Sequence, residues 1–216
     1  MKCLKCFSLL LLCCAVAPAA PRLFYSKYFK GSVPEFVAIS VERSGATTYQ
    51  EAKDDDNPIR VQLTPAETGE LFDLAEKLDR FKHPVESGLK VANMGTKTFR
   101  FEDGGEKHEI QFNYSVDVTA QTLLDWFERI AETEQDSIDL DRAIHYDKLG
   151  VNDALLRVQI TLEHKRLVAA EQFLPLLDRV VKNESFLHIA RDRAANIADA
   201  IRKPAPPAAP PEKTQP

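Results

Sequence analysis

The sequence predicts an α+β protein: an antiparallel sheet made of two strand–turn–strand–helix units, followed by a C-terminal helical extension. Between positions 36 and 114, apolar residues alternate with a period of two in short stretches, as in half-buried strands. Two helix starts with capping threonines, Thr64 and Thr119, follow these stretches. After Gln135 we predict no further strand in the core. Because neither unit can bury its apolar face alone, we expect one shared sheet with both helices on one side.

The first unit contains three strand candidates. Residues 36–41 and 46–50 flank a Ser44-Gly45 turn signal, which predicts a hairpin. The acidic stretch 54–58 ends in proline and predicts a solvated loop, after which residues 59–63 alternate again. The unit therefore supplies three short neighbouring strands.

A helix completes the first unit. Thr64 can cap free backbone N–H groups, Pro65 suits the first helical position, and Glu67 can complete a capping box. The apolar residues that follow share one helical stripe: Leu71, Leu74, Ala75 and Leu78. We expect the helix to end near Arg80, because Pro84 prevents much continuation.

The second unit repeats this order. Residues 96–102 predict a strand, Asp103-Gly104-Gly105 predicts a turn, and residues 110–114 alternate on the way back. A second amphipathic helix begins at Thr119, which lies 55 residues after Thr64. The two helices match at several positions at this offset. A true duplication and a chance likeness of two amphipathic helices both explain the match.

Helical segments follow the 35–135 core. Apolar residues between Ile138 and Tyr146 predict a short helix ended by Gly150. Residues 153–169 have a wide apolar face that favours a helix, although the alternation from Leu156 to Leu162 also fits a strand. These segments form a predicted helical extension over 136–203.

Residues 172–201 resemble one HEAT-type helical hairpin. An L-P-x-L helix from Leu174 is followed by the polar turn Asn183-Glu184-Ser185 and an arginine- and alanine-rich helix. Such hairpins stack in arrays that bind proteins, but only one unit is recognisable here, so the resemblance implies packing on the preceding helix or on the sheet and little about function by itself. The stretch 24–202 also resembles secreted bacterial proteins of unknown function, which implies export and no particular chemistry.

Residues 1–20 are typical of a secretory signal peptide. Lysines precede an apolar run from Phe7 to Val16, and small residues at 17–20 suit a cleavage site. The run is about ten residues, whereas a membrane-spanning helix needs roughly 20. All four cysteines lie within this segment. We therefore expect an exported, periplasmic or secreted chain without thiols and without a transmembrane helix; a lipid anchor and an uncleaved anchor are the alternatives.

Charge restricts the partners of the exported chain. Removal of two lysines with the signal peptide leaves 26 basic against 33 acidic residues. This acidic balance argues against a nucleic-acid partner, because phosphate binding requires clustered cations. The proline-rich tail 204–216 predicts disorder.

No pattern in the chain predicts a catalytic, cofactor-binding or metal-binding residue. None of the five histidines has a second histidine four residues away, the spacing that places two imidazoles on one helix face. Ser87 and Lys90 match S-x-x-K, but the partner motifs of that enzyme class are absent. We expect no cofactor.

The sequence favours a non-enzymatic binding module for a protein or an envelope component. Two surfaces are candidates: a basic and aromatic arm at 21–34, and the helix that carries Arg191. The predicted contact residues are Arg22, Tyr25, Lys27, Tyr28, Lys30, Arg191 and Arg193. An exposed charged face, or an ion pair with Asp178 or Glu184, is the alternative role for the last two.

Two other functions fit the same residues. An envelope hydrolase would use a cleft between the two units, with His83, Glu86, Ser87 and His108. A small-molecule binder would use the uncovered face of the sheet. Its pocket would be lined by Phe99, Phe101, Phe112 and Tyr114.

Overall fold

The structure, a computed structural model, describes residues 20–203 and confirms the α+β class. Its strands are β1 (Arg22–Tyr28), β2 (Phe36–Glu42), β3 (Ala46–Gln50), β4 (Ile59–Gln62), β5 (Thr96–Asp103) and β6 (Glu106–Phe112). Its helices are α1 (Pro65–Lys77), α2 (Val118–Tyr146), α3 (Val151–Glu163), α4 (Leu174–Lys182) and α5 (His188–Arg202). The predicted signal peptide, apart from Ala20, and the predicted tail lie outside the described residues.

All six strands form one antiparallel sheet in the order β4-β3-β2-β1-β5-β6. The stretch expected to be an arm is therefore the central strand β1, which pairs with β2 on one side and β5 on the other. Leu23 and Tyr25 alternate with Phe24 and Ser26, and only the first two are fully buried. This alternation is a strand pattern, which the aromatic and basic composition of the segment obscured.

One face of the sheet packs against α1 and α2. Leu23, Ile39 and Phe101 of the sheet and Leu71 and Phe127 of the helices belong to one buried cluster. Both helices therefore lie on the same side, as expected. The opposite side of the sheet carries polar and half-exposed side chains and is called the open face below.

Helix α1 begins as its sequence predicts. The backbone N–H of Glu67 donates to Thr64 Oγ1 at 3.3 Å, and Glu67 Oε2 accepts from the Thr64 N–H at 2.8 Å. Helix α2 differs from the prediction, because it begins after Asp117, whose carboxylate caps Ala120 N–H, and runs unbroken for 29 residues. No glycine or proline interrupts it, so the expected break after Gln135 does not occur.

The C-terminal part of α2 belongs to a second buried cluster. Leu140 of α2, Leu155 of α3, Leu177 of α4 and Ile197 of α5 are members of it. Residues 151–163 are helical, which settles the choice between helix and strand there. Helices α4 and α5 form the expected hairpin, and it packs on the preceding helices. The long helix α2 thus joins the sheet to the helical extension.

Candidate functional site

The open face of the sheet arranges polar side chains in rows across the strands. Strand register places Arg60, Thr48 and Ser40 in one row, which continues through Phe24 to Arg100. In this row, the two small side chains of Thr48 and Ser40 lie between Arg60 on one side and the Phe24–Arg100 pair on the other. The face therefore has small polar side chains near its centre and a cationic group at each side.

A groove of about 630 Å³ occupies this part of the open face. Four charged residues line it, and three of them are arginines: Arg22, Arg60, Arg100 and Glu42. Thr48 and Ala46 contribute short side chains to the lining. The lining therefore has a positive balance, although the whole chain has a formal net charge of −5.

Arg100 is held in place at one side of the groove. Its guanidinium carbon lies 3.9 Å from the centroid of the Phe24 ring, which is a cation–π contact. Its Nε atom lies 2.9 Å from Glu102 Oε1, and its NH1 group lies 3.4 Å from Glu109 Oε2. Because these contacts restrict the side chain, its guanidinium is already oriented before any ligand arrives.

The other two arginines differ in their partners. Arg22 NH2 donates to Glu42 Oε1 at 3.1 Å, and both side chains are partly exposed. The exposed side chain of Arg60 has no ion pair or hydrogen bond to any residue between 20 and 203. Arg60 on β4 and Arg100 on β5 are separated by four strand spacings, or roughly 19 Å. The groove thus offers cations at both ends and one unpaired guanidinium.

The predicted contacts on β1 do not share one surface, because alternate residues of a strand face opposite sides. Arg22 lies in the open-face groove, and Tyr28 is 46% exposed on the same face. Tyr25 is only 1% exposed on the helix side. Lys27 also lies on that side, with its Nζ 3.9 Å from Glu128 Oε1. Lys30 is exposed after the strand ends.

The predicted arginines of α5 make contacts within the chain. Arg193 donates to Asn152 Oδ1 at 3.3 Å and to Gln159 Oε1 at 2.6 Å, so it ties α5 to α3. Asp178, a proposed partner, instead pairs with Arg202 at 2.6 Å. Arg191 is half-buried. This helix therefore presents fewer available cations than its sequence indicates.

The residues of the hydrolase alternative are paired separately. His83 lies 3.3 Å from Asp79, and His108 lies 2.8 Å from Glu106. Glu86 accepts from the Asn113 N–H at 2.6 Å. This hydrogen bond is the main cause that lowers the pKa of Glu86. Among residues 20–203, no hydrogen bond joins Ser87 to either histidine.

The aromatic pocket of the other alternative is not formed. Phe99, Phe101 and Phe112 are at most 3% exposed and pack on the helix side, whereas Tyr114 is half-buried. Between residues 20 and 203 there is no group of three His, Cys, Asp or Glu side chains placed to hold a metal ion. The same range contains no helix that is both long and apolar enough to span a membrane.

Among the residues that line the groove, the sequence reasoning identified only Arg22 and missed, among others, Arg60, Arg100 and Phe24. A signal for them exists in the sequence, since each alternates with apolar core residues in its own strand. Comparison with known proteins adds no further residue, because no family model and no curated protein matches the chain.

Proposed function

We propose that this protein is a non-enzymatic binding module of the cell envelope or periplasm, and that its open face binds an acidic segment of a partner protein. The arginine-lined groove across an uncovered sheet carries this proposal. The signal-like residues 1–20 are the reason for the envelope location. The location and the binding role can be tested separately.

Charge favours an acidic partner over a basic one. Of the three arginines that line the groove, Arg22 is paired with Glu42 and Arg100 contacts two carboxylates on its own strand and on β6, so Arg60 is the cation that is unpaired among residues 20–203. An arriving carboxylate can pair with Arg60 without displacing an internal partner. Guanidinium groups bind carboxylates through two parallel hydrogen bonds, so arginine suits this role better than lysine.

Geometry favours a polypeptide over a compact metabolite. The arginines at the two sides of the groove are separated by roughly 19 Å, which is about six residues of an extended chain. The groove is open along its length, and Ala46, Ser40 and Thr48 leave room for backbone between the charged ends. An extended segment with spaced carboxylates can contact both ends at once.

A direct binding measurement tests the proposal. A fluorescent peptide of about ten glutamates and a matched lysine peptide are titrated with residues 21–216, and anisotropy is recorded at about 50 and about 200 mM NaCl. We expect salt-sensitive binding of the glutamate peptide only. The double variant Arg60→Glu/Arg100→Glu is expected to lose about tenfold or more in affinity.

Arg142→Glu is the matched control for the single variant Arg60→Glu, because both reverse one exposed arginine and Arg142 lies on α2, away from the groove. Equal losses in the control and in the groove variant would contradict a groove-specific site. Binding of both peptides, or of neither, would also overturn the proposal. A photo-crosslinking residue at Thr48 in native envelopes then identifies the partner, with one at Gln121 on α2 as the control position.

A further inference from the structure

A small pocket lies between α2 and the connection from β1 to β2, on the opposite side of the sheet from the groove. Its volume is about 230 Å³. The residues that line it include Tyr25, Lys27, Val37, Glu128 and Ala131. This pocket is independent of the proposed open-face function.

The Tyr25 hydroxyl is the most informative atom in the pocket. Tyr25 is 1% exposed, and its hydroxyl oxygen is buried without a hydrogen-bond partner. Buried hydroxyl groups normally have a partner, and an exception needs an explanation. Tyr25 lines the pocket, but its hydroxyl oxygen has almost no accessible surface, so a bound molecule can provide the missing partner only after a small shift of the neighbouring side chains.

The ring of Tyr25 is held firmly. It stacks on Phe127 with centroids 4.8 Å apart and planes at 10°. Burial, and then the charge of Glu128, raises the pKa of Tyr25. The hydroxyl therefore stays protonated and can donate a hydrogen bond.

Charged groups of both signs lie at the same pocket. Lys27 Nζ and Glu128 Oε1 are 3.9 Å apart, and both side chains are partly exposed. Lys97 lies nearby and is 4% exposed, but its Nζ already donates to three backbone carbonyls. Lys27 and Glu128 are paired only with each other and are partly exposed, so a ligand that carries both charges can replace this ion pair with two of its own.

We infer that this pocket binds a small zwitterion of the α-amino acid class. The ligand carboxylate accepts from the Tyr25 hydroxyl and the Lys27 ammonium, and its ammonium donates to Glu128. Val37 and Ala131 provide apolar contact for a short side chain. The volume of about 230 Å³ fits a molecule of this size and is below the usual range for drug-sized ligands.

Titration with L-valine, followed by the NMR signals of the Tyr25 ring, tests the inference on residues 21–216. Isovalerate lacks the ammonium and isobutylamine lacks the carboxylate, so these two compounds test each charged group. We expect saturable binding of valine and at least about tenfold weaker binding of both analogues. Absence of a valine shift, or equal binding of either analogue, would overturn the inference.

Two tyrosine variants test whether valine binds at the Tyr25 hydroxyl. Tyr25→Phe removes only the hydroxyl and keeps the stacked ring, so we expect a loss of about tenfold in valine affinity. Tyr49→Phe is the matched control, because the Tyr49 hydroxyl is also on a core-facing ring but donates to Glu51 outside the pocket. Unchanged binding in Tyr25→Phe, or an equal loss in Tyr49→Phe, would contradict the assigned site.

Discussion

The two faces of the sheet use the same strands in opposite ways. The helix side joins Tyr25, Phe99 and Phe127 in one aromatic cluster, with ring centroids 4.8–6.0 Å apart. The open face places Phe24 beneath Arg100, and its other residues are mostly polar. Packing explains the aromatic cluster of the first face. The second face has no packing partner among the described residues, so its charged groups can serve binding.

The largest difference in stability between the two faces is expected for alanine variants of two phenylalanines in neighbouring strands. Phe99→Ala leaves a cavity in the helix-side core and is expected to cost about 3–5 kcal/mol in free energy of unfolding. Phe24→Ala on the open face is expected to cost about 1 kcal/mol or less, mainly the contact with Arg100. Urea unfolding measures both. Similar losses would mean that the open face is covered in solution.

Carboxylates provide a second contrast, because Glu134 is 1% exposed whereas Glu109 is exposed. Burial raises the pKa of Glu134, and the hydrogen bond from Gln172 only partly opposes this. The folded state therefore holds this proton more tightly than the unfolded state. The contribution of Glu134 to stability is therefore expected to fall as pH rises from the unfolded pKa of glutamate through the raised folded pKa.

Glu134→Gln is expected to remove this loss and to raise stability by about 1 kcal/mol or more near neutral pH. Urea unfolding at acidic and neutral pH measures the change. Glu109→Gln, which removes an exposed carboxylate of the open face, is the control. The same change of stability with pH in the wild type and in Glu134→Gln would contradict the prediction.

Two tyrosine hydroxyls on the helix side differ in their hydrogen bonding. Tyr49→Phe removes a hydrogen bond of 2.9 Å to Glu51 and is expected to cost about 1 kcal/mol. Tyr25→Phe removes a hydroxyl without a described partner and is expected to cost nothing or to stabilise the free protein slightly. Thermal unfolding without ligand checks the order. A larger cost for Tyr25→Phe would indicate a hydrogen bond that the free protein makes.

The smallest effect is expected on the open face itself. Arg22→Ala breaks a partly exposed ion pair with Glu42, and such pairs contribute about 0–1 kcal/mol. Arg60→Ala is expected to change stability by less than about 0.5 kcal/mol, since Arg60 has no partner within 20–203. Urea unfolding measures both variants. A larger loss would assign these arginines to folding and weaken the case for binding.

Local signals predicted the elements whose ends are set by neighbouring residues. The capping box at Thr64 and the hairpin after Leu174 are both present in the structure. Prediction failed where a boundary depends on distant packing. The expected break after Gln135 is absent, because one side of the same helix contacts the sheet and its later turns contact α3. Of the predicted contacts, only Arg22 lines the groove.

The sequence by itself determined the class of fold, the side-chain alternation of the strands that it predicted and the acidic balance of the chain, because these follow from composition and local periodicity. The tertiary structure alone decided that 22–28 is the central strand and that Arg60 and Arg100 share one groove. It also decided that Tyr25 faces a pocket with Lys27 and Glu128. These arrangements depend on strand order and on contacts between distant residues, which periodicity along one chain does not encode.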